Sequence, residues 1–345
     1  MSAPGFAPWQ QRAYDHAAAA LDSGRMGHAL LFCGPARLGK RAVAERLAQR
    51  ALCKSPTAGG EPCGHCRGCI LFQSRSQADP VELRPDGRLA HPAGKPGHPD
   101  AWFVGYTVNE RTGKPRSEIV IEQVRELSRK LSLTPQLGGA QVAIVEPADA
   151  IGHAAFNALL KTLEEPQPGR FLWLVAAEPA RLPATIRSRC QKLEFRLPPE
   201  DESLAWLQAI GHAPAEAREA LDAARGHPGL ADAWLRDDVL ALRKAVAADL
   251  AKVGRDDASP AAIAQAWVAD DQAMLRLRLA ADFAQREAAK LDAGRLTDPG
   301  RTRRLAAWFD AANRTAALLR TTVRADLAVA GLLLDWKLLD GKGTR

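Results

Sequence analysis

Strand-like runs return along this chain at Ala29–Cys33, Ile119–Ile121, Val142–Val145, Phe171–Ala176 and Leu193–Phe195, with helical patterns between them. A parallel sheet covered by helices accommodates that alternation most simply. One flanking helix is readable from Trp9 to Leu21, where Tyr14, Ala17, Ala18 and Leu21 stand out in an Ala-rich segment. Another carries Phe156, Leu159, Leu160 and Leu163 at helical spacing through the run Asn157–Pro166, and Pro166 stops it because proline has no N–H to continue a helix. These elements account for residues 1–196.

At 345 residues the chain calls for two or three domains. Two stretches interrupt the sheet pattern: a cysteine-rich one at Cys53–Cys69, and a Gly/Pro/His-rich one from Arg84 to Ser117 that reads as an inserted surface loop. After Pro198-Pro199 the composition turns to Ala, Leu, Arg and Asp with helical periodicity, broken at Gly226-His227-Pro228-Gly229 and at Pro260. The expected division is an α/β core at 1–196 with a metal module at 53–69, a small helical lid at 197–238 and an all-α domain at 239–345. The last helix carries Leu327, Leu332, Leu333, Leu334 and Trp336, more apolar surface than one face needs. Packing within its own bundle and packing against a neighbouring subunit both account for that.

No apolar run approaches the ~20 residues needed to span a bilayer. The start, Met1-Ser2-Ala3-Pro4-Gly5, has neither the basic nor the apolar segment of a secretory signal, so a soluble cytoplasmic protein without disulfides is expected. A net charge of +7 fits contact with nucleic acid or acidic proteins and demands neither.

Gly34-Pro35-Ala36-Arg37-Leu38-Gly39-Lys40 matches the phosphate-loop pattern GxxxxGK directly after a strand and before a helix, the context that pattern needs. The next position departs from it. Arg41 stands where Ser or Thr would hold magnesium, and a guanidinium cannot ligate a cation. The loop amides of Gly34 and Gly39 and the Lys40 ammonium can still cradle a phosphate, so idle nucleotide binding stays open while magnesium-dependent hydrolysis is not expected.

Cys53, Cys63, Cys66 and Cys69 are spaced C-x9-C-x2-C-x2-C. Four thiolates at such intervals suit tetrahedral zinc in a closed, structural site with no position left for a reactive water; an iron–sulfur cluster is the alternative, though nothing near the cysteines suggests redox work. His65 is a solvated neighbour in this reading, and Cys33 and Cys190 are small buried residues outside the cluster.

His28-Ala29-Leu30-Leu31, Cys63-Gly64-His65-Cys66-Arg67-Gly68-Cys69, Leu137-Gly138-Gly139-Ala140, Asn157–Pro166 and Ser188-Arg189-Cys190 together resemble the delta-prime family of bacterial DNA polymerase III clamp-loader subunits, within the AAA+ ATPases. The resemblance covers most of the first 200 residues; the C-terminal helices match only in pattern and length. It implies an AAA+ parallel-sheet core with a lid and a helical collar, placed in a five-subunit ring with gamma or tau ATPases and the delta subunit. That ring opens the sliding clamp and sets it on primed DNA. It belongs to the DNA-directed DNA polymerase III holoenzyme, and this chain would have no polymerase activity of its own.

In that setting the chain is a stator. An active relative would carry Asp and Glu after Val142–Val145, where Glu146 and Pro147 stand, and Pro147 cannot act as a general base. Ala176 and Ala177 replace a polar sensor, and Gly226–Gly229 stands where a lid arginine would follow. Asp149 reads as a helix N-cap. Arg189 is the implied arginine finger, acting on the nucleotide of a neighbouring subunit; the alternative for it is a surface ion pair with Glu194 or another carboxylate. The 84–117 insertion and the partly retained 34–40 loop depart from the family pattern. Two other functions are weighed beside the stator: an active gamma or tau-type ATPase that tolerates Arg41, Glu146 and Pro147, and a zinc-finger nucleic-acid reader using Lys54, His65 and Arg67.

Overall fold

Alternate residues along β1 (Ala29–Cys33) go to opposite sides of a sheet, and both sides are covered. Leu30 and Phe32 join one core cluster with Tyr14, Ala17, Val43 and Leu47. Ala29, Leu31 and Cys33 join the other, with Val124, Leu127, Phe156 and Leu159. A strand buried on both faces has no polar positions to alternate with, which is why the run is apolar throughout.

The computed structural model describes residues 5–289, 299–319 and 321–340; residues 1–4, on which the reading of the chain's start largely rests, lie outside them. The elements in order are α1 (Pro8–Asp22), β1, α2 (Lys40–Leu52), α3 (Arg67–Gln73), β2 (Arg75–Ser76), β3 (Lys95–Pro96), β4 (Ala101–Val104), α4 (Ile121–Ser132), β5 (Gln141–Val145), α5 (His153–Glu164), β6 (Arg170–Ala176), α6 (Ala184–Arg187) and β7 (Gln191–Glu194). Helices α7 (Glu200–Ala209), α8 (Pro214–Ala223) and α9 (Pro228–Arg236) follow. The sheet is parallel throughout, in the order β4-β5-β6-β1-β7. The phosphate-loop sequence therefore leaves the end of a central strand. Phe32 and Trp173, both fully buried with ring centroids 6.0 Å apart, anchor the α1/α2 side.

Two expectations are corrected. Ile119–Ile121 is not a strand: Ile119 makes only an isolated bridge to Ile151, and Ile121 opens α4. The side chain of Gln123 accepts from the Val120 amide at 3.1 Å, satisfying a free donor at the helix start and fixing the helix there. The edge strand is Ala101–Val104 instead, so the 84–117 segment is more than a surface loop. Burial of Phe103 and the carboxylate of Asp100, which accepts the amides of Gln136 at 2.7 Å and Leu137 at 2.9 Å, hold it against the sheet.

By compactness the chain divides into Met1–Asp232 and Ala233–Arg345. The second unit is helical among its described residues: α10 (Val239–Gly254), α11 (Pro260–Trp267), α12 (Ala273–Ala289), α13 (Pro299–Leu318) and α14 (Ala325–Asp340). Its core is pinned by tryptophans. Trp308 and Trp336 meet edge to face at 4.7 Å, and their indole N–H groups donate to the carbonyls of Leu332 and Leu250. On α14, Leu332, Leu333 and Trp336 are buried, whereas Leu327, Leu334 and Leu338 are 50–63% exposed. The private core thus accounts for one face only. No described helix is long and apolar enough to cross a membrane.

Candidate functional site

The loop after β1 is bent as a phosphate loop must be, with left-handed backbone at Arg37 (φ 61°) and Gly39 (φ 82°). Its interior is filled by the protein itself. Lys40 is buried, and its ammonium donates to the loop's own carbonyls at Gly34 (2.8 Å) and Pro35 (2.5 Å). Burial lowers its pKa from the ordinary lysine value, partly offset by Glu146 and Asp149. From α1, the Trp9 indole and the Gln10 amide both donate to the Leu38 carbonyl, at 3.1 and 3.2 Å. Gln10 lies so close to Gly39 that a β-carbon at that glycine would run into it.

Arg41 reaches from the first turn of α2 to the end of β5. Its guanidinium donates to Glu45 (2.7 Å), Glu146 (3.1 Å) and the Ala90 carbonyl (3.0 Å), and bonds His91 Nδ1 (2.9 Å). Arg41 and Glu146 occupy the two sequence positions that flank magnesium in a working site, and here they neutralise each other directly. Ala90 and His91 come from the 84–117 segment, so part of that insertion covers the end of the phosphate loop. Buried His91 is held below the ordinary imidazole value, chiefly by burial, with Glu82 at 3.3 Å acting the other way.

The start of α9 closes the loop from above. Gly229 lies against the Arg37 carbonyl with no room for a β-carbon, which accounts for a glycine in the Gly226–Gly229 stretch, where an active relative would show a lid arginine. His227 is likewise held low by burial, against a bond to the Ala36 backbone. Asp149 is not an N-cap: its carboxylate accepts the amides of Ala177 (3.0 Å) and Glu178 (2.7 Å), tying down the strand end where a sensor side chain would stand.

Arg189 sits elsewhere, just after α6. It is 38% exposed and pairs with Glu164 at 2.6 Å, so the surface ion pair weighed as its alternative is present, with Glu164 as the carboxylate; Glu194 binds Arg196. A second terminal N–H donates to the Thr185 carbonyl at 3.0 Å.

The sulfurs of Cys53, Cys63, Cys66 and Cys69 lie within 4.8 Å of one another, and the four can bind a metal ion. Pairs stand 3.6 Å (Cys53 and Cys63), 3.9 Å (Cys53 and Cys66) and 4.0 Å (Cys63 and Cys69) apart. Backbone amides of Cys63, Cys66 and Cys69 point at the sulfurs of Cys53, Cys63 and Cys66, at 3.3–3.5 Å. Such donors favour thiolate. For Cys66, burial pushes upward, but the amides of Cys69 and Lys54 bring the thiol down to about 6, while burial drives Cys69 up to about 12. His65 is exposed and bonds the Cys63 carbonyl, and Cys33 and Cys190 are buried away from the cluster.

Sequence reasoning missed Trp9, Gln10, His91 and Glu164. Only Glu164 carried a usable signal, being part of the run Thr162-Leu163-Glu164-Glu165-Pro166 beside the last helical turn.

The sequence profile of the family described as DNA polymerase III, delta subunit, matches residues 9–199. A DNA polymerase III subunit delta' of Pseudomonas aeruginosa is 38% identical over 220 residues, 64% of this chain and 58% of that protein. A gamma/tau subunit of Mycobacterium tuberculosis is 34% identical over 194 residues, 55% of this chain and 28% of its own length. Each match thus spans less than two thirds of the relative's length. Among solved structures, a DNA polymerase III gamma subunit-related protein of Thermotoga maritima aligns over 94% of this chain and 100% of its own, with a TM-score of 0.47 and 13% identity.

Proposed function

The chain belongs to the delta-prime family of DNA polymerase III subunits, and on that footing we propose that it is the non-hydrolysing stator of a clamp loader. What supports the reading most is the Arg41 guanidinium, which stands at the sequence position of the magnesium ligand and is bonded to Glu146, the Ala90 carbonyl and His91. With Arg41 where Ser or Thr would ligate magnesium, the lid glycine seated on the loop and Pro147 in place of a general base, the chain lacks the side chains that hydrolysis uses to hold the ion and activate water. The active-ATPase reading finds no support in this arrangement.

Arg189 acts in trans, on the nucleotide of an adjacent gamma or tau subunit. What supports this is its exposure together with the three guanidinium N–H groups that have no partner among the described residues. Residues 197–238 form the lid and 239–345 the collar, and the exposed leucines of α14, Leu327, Leu334 and Leu338, are the surface that meets neighbouring subunits. The partners are gamma or tau and delta, and through them the sliding clamp and primed DNA.

The metal is zinc. Tetrahedral Zn–S bonds of about 2.3 Å set the sulfurs about 3.8 Å apart; three of the six sulfur pairs, at 3.6, 3.9 and 4.0 Å, lie near that value, and all fall within 4.8 Å. Zinc here cross-links the segment between α2 and α3 and supplies no catalysis.

The test is nucleotide handling by the chain alone and in the reconstituted loader. The isolated chain neither hydrolyses ATP nor binds it with magnesium dependence, and Lys40→Ala leaves turnover of the complex unchanged. Magnesium-dependent hydrolysis by the isolated chain, lost on Lys40→Ala, overturns the reading.

A further inference from the structure

Arg189 stands at the end of a single helical turn. A long exposed side chain in that position samples many rotamers, all but one of which must be given up before it can meet a phosphoryl group. Two contacts limit that freedom. One terminal nitrogen donates to the Thr185 carbonyl at 3.0 Å, and the other donates to Glu164 Oε1 at 2.6 Å, across to the last residue of α5.

The manner of the second contact is informative. Elsewhere in the chain, Arg12 gives both terminal nitrogens to the two oxygens of Glu202, at 2.8 and 2.9 Å, so that the whole fork is spent on one carboxylate. Arg189 gives Glu164 a single N–H. The remaining three N–H groups, including Nε, have no partner among the described residues and need not be released before another anion is bound. α5 is also a firm base for such a hold. Its inner face, Ala155, Phe156, Leu159 and Leu163, is buried in the core, so Glu164 is fixed through the helix whereas Arg189 follows only a short turn.

We propose that Glu164 is a positioning residue for Arg189: it fixes the guanidinium plane by one N–H and leaves the free edge aimed outward for the phosphoryl group of a neighbouring subunit's nucleotide. The inference rests on the trans-acting reading of Arg189 given above.

The experiment compares wild type, Glu164→Ala, Glu164→Gln, Arg189→Ala and the double variant Glu164→Ala/Arg189→Ala, each in loader complexes isolated intact with gamma or tau and delta. Steady-state ATP turnover is measured with clamp and primed DNA. Loss of alignment in Glu164→Ala lowers kcat about ten-fold, short of the hundred-fold that misplacing a catalytic group can cause, with the KM for ATP unchanged. Glu164→Gln keeps an oxygen that can accept from Arg189 and retains most of the turnover. The double variant matches Arg189→Ala, because Glu164 acts only through that arginine. Glu164→Ala turnover at or above wild type, with Arg189→Ala impaired, overturns the positioning role alone. A double variant below Arg189→Ala, equal losses in the Ala and Gln variants, or failure of Glu164→Ala to assemble assigns Glu164 a structural role and also overturns it. Wild-type turnover in Arg189→Ala overturns the trans-acting reading instead.

Discussion

Removing the Arg41 guanidinium unseals the end of the phosphate loop, and the structure fixes the size of the effect. The side chains of Arg41, Glu45 and Glu146 are only 16–18% exposed. Arg41→Ala leaves Glu146 facing the loop without its ion pair, and takes a donor from the Ala90 carbonyl and from His91. Glu45 keeps Arg75 at 3.0 Å and is spared. Breaking one side of a buried pair costs roughly 3–5 kcal/mol; with Glu45 still paired and the site not wholly dry, about 3 kcal/mol is expected, a fall of about 6–12 °C in melting temperature for a unit of this size. The assay is urea unfolding of the complete chain, with hydrogen exchange of α2 reporting the first unit separately. Arg12→Ala is the control: Arg12 is 60% exposed in its pair with Glu202, and its loss costs under about 1 kcal/mol. An Arg41→Ala loss as small as the control's refutes the claim that this guanidinium seals the loop through a buried ion pair.

Acidification tests the buried histidines. Burial holds His91, His98 and His227 below the ordinary imidazole value, so the unfolded chain takes up protons as pH falls through about 6.5 while the fold stays neutral. Stability present above that pH is therefore lost as pH drops toward the folded values; urea midpoints that rise on acidification contradict this. On the zinc reading proposed above, chelation or Cys66→Ser loosens the segment between α2 and α3 while the parallel sheet persists, as circular dichroism and peptide-level exchange should report; collapse of the whole first unit contradicts a local module. Leu334→Asp, at a position 50% exposed, leaves the chain's own melting within about 0.5 kcal/mol and impairs assembly with gamma or tau and delta, read by size-exclusion chromatography. Full assembly removes α14 from the subunit interface.

The central strands were legible because burial on both faces leaves no ambiguity in Ala29–Cys33 or Phe171–Ala176. The four-cysteine cluster was legible because Cys53, Cys63, Cys66 and Cys69 fall within 17 residues, near enough in sequence for local turns to bring their sulfurs together. The edge strand was not. Ala101–Val104 is four residues long, half-buried in alternation and set in a Gly/Pro/His-rich segment, whereas Ile119 looks like a strand residue because its side chain fills the core from a loop. The closure of the phosphate loop was half legible. Arg41, Glu146 and Pro147 each depart from the residue of an active relative in sequence, but the pairing of Arg41 with Glu146 spans 105 positions, and the seating of Gly229 on Arg37 depends on how α9 folds back. Glu164 and Arg189 are 25 residues apart and meet only because α5 and α6 end at the same edge.

Whether this chain hydrolyses nothing itself and completes a neighbour's site is decided by clamp- and DNA-stimulated ATP turnover of the reconstituted loader carrying Arg189→Ala. Turnover reduced by about 10³-fold or more per completed site, the scale of a lost arginine finger, in a complex that assembles as the wild type does, is the predicted result. Wild-type turnover in that complex contradicts it.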